Sequence, residues 1–379
     1  MSRYLQLYRT ISKTFGTRLR PVGTFAALQV RQGISAATMG LDRLVYPQVA
    51  DQPIDRPIFI VGNPRSGTTF LHRLLLGAGD TAAFELWEMM FPAITARKLL
   101  GRIVPRIDRL SPARYHPSDI HDTNLRGIET DDVAWFLRTL DGPFAWAYFL
   151  AWQDQWGSAL SKREMGIEGL TQAEKDRFFG YYEAIWRRNL VYKHANRILA
   201  KTSMLTFRIT EVLDRYPDAK LIYIIRDPVE VIPSGMSLIA GVLDNGYDAF
   251  NTTSDEDQKR WIENLYQASA DLLRSFHDAQ TSGAIPEKNL CVVRYTDLLH
   301  NLEPTIKRIL DFIEIDPPQT FLDEIHAQHE KQRTYKSRHQ HSPEKFHLDP
   351  DRIRHDLGFV YDAYELPDKV AQTQPETEK

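Results

Sequence analysis

Disulfide chemistry is closed to this chain, because Cys291 is its only cysteine. The thiol stands in the apolar run Leu290 to Val293, which predicts a buried, reduced side chain and suits a cytoplasmic protein. No stretch approaches the roughly 18 uninterrupted apolar residues of a spanning helix. The N-terminus also has no compact apolar segment followed by a small-residue cleavage site, so a soluble, non-secreted protein is expected. Strong charge is lacking too: a formal net charge of −3 argues against a non-specific nucleic-acid binder. There is no internal repeat, no low-complexity tract and no compact cluster of His, Cys and carboxylates at metal-ligand spacing, so no metal is called for. Only the polar end, residues 366–379, reads as a disordered tail.

What is present is ordinary globular material, 42% hydrophobic, enough for one large domain over residues 51–365. Short apolar runs at Pro57 to Val61, Arg197 to Ala200, Leu221 to Ile225 and Leu290 to Val293 alternate with helical patterns near Thr68, Phe207 and Val229. Continuous apolar strands separated by helices predict an α/β fold with a central parallel sheet flanked by helices. Residues 1–50 read as a helical extension. Its first 35 residues carry Arg3, Arg9, Lys13, Arg18, Arg20 and Arg31 and no acidic residue, with Tyr4, Leu7, Tyr8, Ile11 and Phe15 at helical spacing. Such a helix either packs on its own domain or makes peripheral contact with an anionic membrane, at the inner membrane face. Nothing in the pattern fixes an oligomeric state.

In parallel sheets ligands sit beyond the carboxyl ends of the strands, and here each strand end carries an anion-binding group. The first run leads into Gly62-Asn63-Pro64-Arg65-Ser66-Gly67-Thr68-Thr69. Its glycines have the spacing and the strand–loop–helix setting of a nucleoside-triphosphate P-loop, but two threonines follow where that loop needs Lys and then Ser or Thr. The cation lies inside the loop instead, at Arg65. Backbone N–H groups from Arg65 to Thr69, with the hydroxyls of Ser66, Thr68 and Thr69, form a cradle for a phosphate or phosphosulfate. The later runs end in Lys201-Thr202-Ser203, Arg226-Asp227-Pro228 and Arg294-Tyr295. Arg226 and Ser234 can converge on a second phosphate, unless Arg226 is engaged by Asp227 or Glu230.

The loop from Pro64 to Phe70 and the segment from Arg226 to Ser234 resemble the paired nucleotide motifs of the sulfotransferases that use 3′-phosphoadenosine-5′-phosphosulfate (PAPS). The likeness runs over residues 55–340. It implies that Arg65, Ser66, Gly67, Thr68 and Thr69 hold the 5′-phosphosulfate and that Arg226 and Ser234 hold the 3′-phosphate. Phe70 then stands where cytosolic members stack a Trp on adenine, Tyr295 lines the nucleotide, and Lys336-Ser337-Arg338-His339 corresponds to a late basic loop. The cytosolic branch has a catalytic His where this chain has Ser203. Branches with Arg in the loop, such as the bacterial and tyrosylprotein enzymes, use instead a Glu some twenty residues beyond it, the distance from Arg65 to Glu85. Glu85 is thus the first candidate for the base and Glu88 the second, with His116 and His121 as a fallback pair.

Sulfuryl transfer needs cations on the transferring group and a base on the acceptor. Arg65 and Lys201 are the candidates for the charge. Glu85, among Phe84, Leu86, Trp87 and Phe91, is in the apolar setting that makes a carboxylate a better proton acceptor. The ring-rich run from Val133 to Trp156 either packs a core or lines an apolar acceptor pocket. The expected activity is transfer from PAPS to a hydroxyl of a hydrophobic small molecule or lipid-like acceptor, leaving adenosine 3′,5′-bisphosphate. Two other readings stay open: a nucleotide-dependent kinase with a degenerate P-loop, and a non-catalytic nucleotide-binding scaffold.

Overall fold

The computed structural model describes residues 3–107, 124–168, 170–333 and 346–366. At its centre five strands pair in parallel in the order β2-β3-β1-β4-β5: β1 Ile58–Val61, β2 Thr81–Ala82, β3 Arg197–Lys201, β4 Lys220–Ile225 and β5 Leu290–Arg294. Four of these are the apolar runs seen in the sequence. The fifth, β2, is a two-residue edge strand pairing Thr81 with Arg197, too short to show any periodicity and short enough to discourage further strand addition.

β1 explains why the runs are continuously apolar. All four of its residues are buried, with Phe59 and Val61 in the core on one face of the sheet and Ile58 and Ile60 in the core on the other. A strand covered on both faces has no polar side to present, and its branched and aromatic residues fit the pleat. β1 also marks the reversal point of the topology, with β3 on one side and β4 on the other. The crevice beyond their carboxyl ends is the expected ligand position.

The principal helices around the sheet are, in chain order, α1 Arg3–Phe15, α2 Leu19–Val45, α3 Thr68–Leu76, α4 Leu86–Met90, α5 Ile94–Leu100, α6 Asp132–Thr139, α7 Gln172–Lys193, α8 Pro228–Tyr247, α9 Asp255–Thr281, α10 Tyr295–His300 and α11 Leu302–Ile313. α11 buries Leu302, Ile306, Ile309, Leu310 and Ile313, the spacing of one helical stripe. α9 begins with Ser254 accepting the Asp257 N–H and has three acidic residues in its first turn, which suits the helix dipole. Among the described residues no helix is long and apolar enough to cross a membrane.

The α1 face that the sequence left between two surfaces packs on the domain. Leu7, Ile11 and Phe15 are buried, Phe15 stacks on Tyr247 with ring centroids 4.9 Å apart, and Arg3 pairs with Glu164 at 2.7 Å. α2 is fastened by Asp42, which is fully buried. Its carboxylate caps α5 by accepting the N–H groups of Ile94 and Thr95, each at 2.9 Å, and pairs with Arg188 of α7 at 2.9 Å. A buried carboxylate is stable only with donors of this number and quality.

A second buried acidic group ties α6 to the end of β3. The Asp131 N–H and the Thr130 hydroxyl donate to the Lys201 carbonyl at 2.8 and 3.0 Å. The Asp132 carboxylate accepts from the Thr202 hydroxyl and from the Ser203 N–H. Trp186 of α7 donates to the Asp131 carboxylate at 2.9 Å. Burial pushes the Asp131 carboxyl up to about 7, against the Trp186 N–H, which favours the ionised form.

Two stability measurements test these anchors. Asp42→Ala leaves Arg188 and two helix N–H groups without their partner, and should cost roughly 3–5 kcal/mol in urea unfolding; a loss near the 0.5 kcal/mol of a surface substitution would show that the anchor is dispensable. Asp131 is a raised carboxyl, so the folded chain binds its proton more tightly than the unfolded chain does. That stability is complete below 3.8 and is lost as pH rises to about 7. Asp131→Asn should flatten this part of the stability–pH curve, and an unchanged slope would remove Asp131 as its source.

Candidate active site

Between β1 and α3 the chain turns through three left-handed residues, Gly62 at φ 133°, Arg65 at 73° and Gly67 at 95°. A Cβ at position 62 would lie 2.5 Å from the Ile224 carbonyl oxygen of β4, and one at position 67 would lie 2.9 Å from the Tyr295 ring. Only glycine allows this approach. Arg65 has no such freedom and holds a conformation that costs on the order of 1–3 kcal/mol, a strain found where a loop is shaped for a ligand. The Asn63 side chain ties the loop to α9 by donating to the Ser269 carbonyl at 3.1 Å.

The loop gathers the other strand ends around it. Arg226, just beyond β4, donates to the Arg65 carbonyl at 2.9 Å, and its guanidinium lies 4.4 Å from the centre of the Tyr295 ring at the start of α10. Arg65 in turn donates through Nε to the Ser234 hydroxyl of α8 at 3.2 Å. Arg226 also pairs with Glu230 at 3.1 Å, one of the two partners foreseen for it. Burial pushes the Arg65 guanidinium down from its ordinary value, and the neighbouring Arg226 pushes it further. Two guanidiniums are thus held close enough to disfavour each other, and an anion between them relieves that cost. The Ser66 hydroxyl is buried and has no partner among the described residues, and the first turn of α3 directs its N–H groups to the same place.

Lys201, the last residue of β3, donates to the Thr69 hydroxyl at 2.8 Å. Burial pushes its ammonium down, and the Glu129 carboxylate pulls it back up. Beneath the loop His72 is buried and donates through Nε2 to the Leu199 carbonyl at 2.9 Å; burial brings it down to about 3, so the ring is neutral. Phe70 is half-buried on α3 against the sheet.

Glu85 and Glu88 form a reciprocal cap at the start of α4. Glu88 is buried, accepts the Glu85 N–H at 2.8 Å, pairs with Lys193 at 2.8 Å and stands 3.9 Å from Arg97. The Glu85 side chain is 24% exposed and accepts from the Trp87 indole N–H at 2.7 Å. Its backbone pairs with Ile128, so Glu129, the strongest charge acting on Lys201, is its near neighbour. His116, His121, Lys336 and Arg338 lie outside the described residues.

The aromatic run divides. Trp146 and Trp152 are fully buried, and Trp152 stacks on Trp261 at 5.1 Å. Trp135, Phe136 and Phe144 instead line a cavity of about 120 Å³. A second, apolar cavity of about 70 Å³ is bounded by Asn63 and Pro64 of the loop, Val231 and Met236 of α8, and Leu265 of α9. Pro143 and Met165 line both; the smaller, apolar cavity is the one that reaches the loop, while the larger also carries Asp141, Arg163, Glu164 and Arg208. Reading the sequence did not single out Glu129, Asp131, Asp132 or the Asn63 anchor. The dense acidic run Glu129-Thr130-Asp131-Asp132, directly before the aromatic run, was the available signal.

Comparisons with known proteins bear on the family and the fold. Residues 57–319 match the model of the Sulfotransferase family. The omega-hydroxy-beta-dihydromenaquinone-9 sulfotransferases Stf3 of Mycobacterium bovis and Mycobacterium tuberculosis are each 23% identical over 310 residues, covering 79% of this chain and 74% of theirs. Sulfotransferase STF1 from Mycobacterium tuberculosis superposes with a TM-score of 0.66 at 17% identity, over 94% of this chain and 92% of its own. STF9 from Mycobacterium avium gives 0.64 at 15%, over 87% and 82%. These two share the fold. Since the family match takes in every strand of the sheet and both arginine-bearing loops, the chain belongs to the sulfotransferase family.

Proposed function

We propose that the chain transfers a sulfuryl group from PAPS to the hydroxyl of a hydrophobic, lipid-like alcohol and releases adenosine 3′,5′-bisphosphate. The observation that carries this reading is the pairing of Arg65 with Arg226 and Ser234 around one strained loop. The residues fit a nucleotide with two anionic groups: an unpartnered buried hydroxyl, Ser66, and helix N–H groups lie on the loop side, with Arg226 and Ser234 beyond. PAPS supplies the activated group as a mixed anhydride of sulfate and phosphate.

The chain's own residues then have separate tasks. Arg65, Ser66, Gly67, Thr68 and Thr69 hold the phosphosulfate end, and Arg226 and Ser234 hold the 3′-phosphate. Tyr295 and Phe70 flank the nucleotide. Lys201, fixed by Thr69 and with Glu129 opposing the effect of burial on its ammonium, steadies negative charge as the group moves. Glu85 takes the acceptor proton. Glu85 shares in the cap, accepts from Trp87 and stands 3.9 Å from Arg126, but its carboxylate is partly exposed to an incoming hydroxyl, whereas Glu88 is buried and paired with Lys193. We read Glu88 as the residue that positions Glu85. The apolar cleft beside Asn63 and Pro64 suits a greasy acceptor, in keeping with relatives named for a hydroxylated menaquinone. The lone buried thiol Cys291 suits a reducing compartment, and we place the reaction in the cytoplasm.

The activity is tested by incubating purified protein with ³⁵S-labelled PAPS and long-chain or polyisoprenoid alcohols, with label entering the organic phase as the expected result. Tighter binding of ATP with Mg²⁺ than of PAPS would favour a kinase instead. Glu85→Gln should lower kcat roughly 10²- to 10⁴-fold while adenosine 3′,5′-bisphosphate still binds by calorimetry; retained turnover would move the base elsewhere, with Glu129→Gln the next variant. Arg226→Ala removes a charged donor worth about 1.5–3 kcal/mol, so Kd for the same bisphosphate should rise about tenfold to a hundredfold. An unchanged Kd would count against a 3′-phosphate site at Arg226.

A further inference from the structure

α2 carries apolar residues on two sides. The side turned toward the protein holds Pro21, Arg31, Ser35 and Asp42, all buried, with Phe25, Leu28 and Met39 packed against the core. Arg31 donates to the carbonyls of Met90 and Leu137, and Asp42 makes the capping contacts on α5. The side turned to solvent holds Leu19, Val22, Val30, Ile34, Leu41 and Leu44, every one exposed, Leu19 by 86% and Leu44 by 80%. At 3.6 residues per turn these fall within an arc of about 140°. The remaining positions of that arc carry only Gly, Ala and Val45. A helix of 27 residues therefore shows a stripe about 40 Å long with no hydrogen-bonding side chain in it. Scattered exposed apolar residues are ordinary; a continuous stripe of this length marks a docking face.

We infer that this face docks the enzyme on an anionic phospholipid bilayer, lying in the interface plane. Charge complementarity selects that occupant. Residues 1–50 contain Arg3, Arg9, Lys13, Arg18, Arg20, Arg31 and Arg43, and their one acidic residue is Asp42, which is buried and paired. Arg18, Arg20 and Arg43 are exposed at the two ends of α2, as are Lys98 of α5 and the following Arg102. A stripe of apolar residues flanked by cations matches an acyl boundary beneath anionic headgroups. A second copy fits less well. The stripe offers on the order of 400 Å² per partner, about 800 Å² in total, which is the range of packing contacts rather than stable dimers, and pairing would bring like charges together. The docked helix is also tied to α6: its inward side bonds to the Leu137 carbonyl, and Gln32 bonds to that of Arg138. Both belong to the helix whose Trp135 and Phe136 line the larger cavity.

The test is flotation of the full chain with vesicles of phosphatidylcholine alone and with about a third phosphatidylglycerol. It uses neither PAPS nor acceptor, so it fails or succeeds independently of the sulfuryl-transfer reading. Wild type should float with the anionic vesicles and less so in high salt, and V30D/L44D should bind at least about tenfold less. Both side chains are solvent-exposed, and unchanged circular dichroism and unfolding midpoint would exclude misfolding of the variant. Absence of wild-type flotation, or equal flotation of the variant, would overturn the proposal. So would a wild-type dimer by light scattering that V30D/L44D converts to monomer without either floating, which would give the face to a second copy.

Discussion

The close contact between the β1–α3 loop and the end of β4 governs the arrangement of the site. A glycine at 62 lets the backbone settle against the Ile224 carbonyl, and every later contact follows from that height. The Arg65 carbonyl comes within reach of Arg226, the Arg65 side chain reaches Ser234, and the Tyr295 ring closes over Gly67. A side chain at 62 would lift the loop and part all three. The strained φ of Arg65 is then the result of two constraints meeting, a loop held low at one end and a helix that must begin at Thr68.

Around that contact the site is built from charges that are costly unless a ligand or a partner offsets them. Arg65 and Arg226 disfavour each other, and Lys201 is buried with Glu129 as its main electrostatic partner. Asp131 and Asp132 are both raised by burial and persist because Trp186, Thr202 and Ser203 donate to them. Desolvated groups of both signs fixed by the fold are what electrostatic catalysis requires, since no reorganisation is then needed when charge moves.

Much of this was legible in the residues. The four apolar runs are strands because a doubly covered strand has no polar alternation, and the residues just past them are where the crevice lies. The two-residue β2 left no pattern to read. Glu129, Asp131 and Asp132 escaped because consecutive acidic residues ordinarily mark a solvated turn, and only tertiary packing against β3 and Trp186 buries them. The Glu85–Glu88 pair was found by its distance from Arg65, but its division into a partly exposed carboxylate and a buried, ion-paired one depends on Lys193, more than a hundred residues away in the chain. The basic N-terminal segment was noticed for the apolar spacing of α1, which the domain covers. The stripe on α2 was overlooked because its glycines and alanines dilute the signal.

One eight-residue helix, α6, is pinned at both ends: Asp132 locks its start to the end of β3, and Arg31 holds the Leu137 carbonyl near its finish. Its backbone is therefore fixed by the central sheet on one side and the outer helix on the other, while Trp135 and Phe136 between them line the larger cavity. Exchange of the rings at positions 135 and 136 would reshape that cavity while Asp132 and Arg31 still hold the backbone of the helix that carries them.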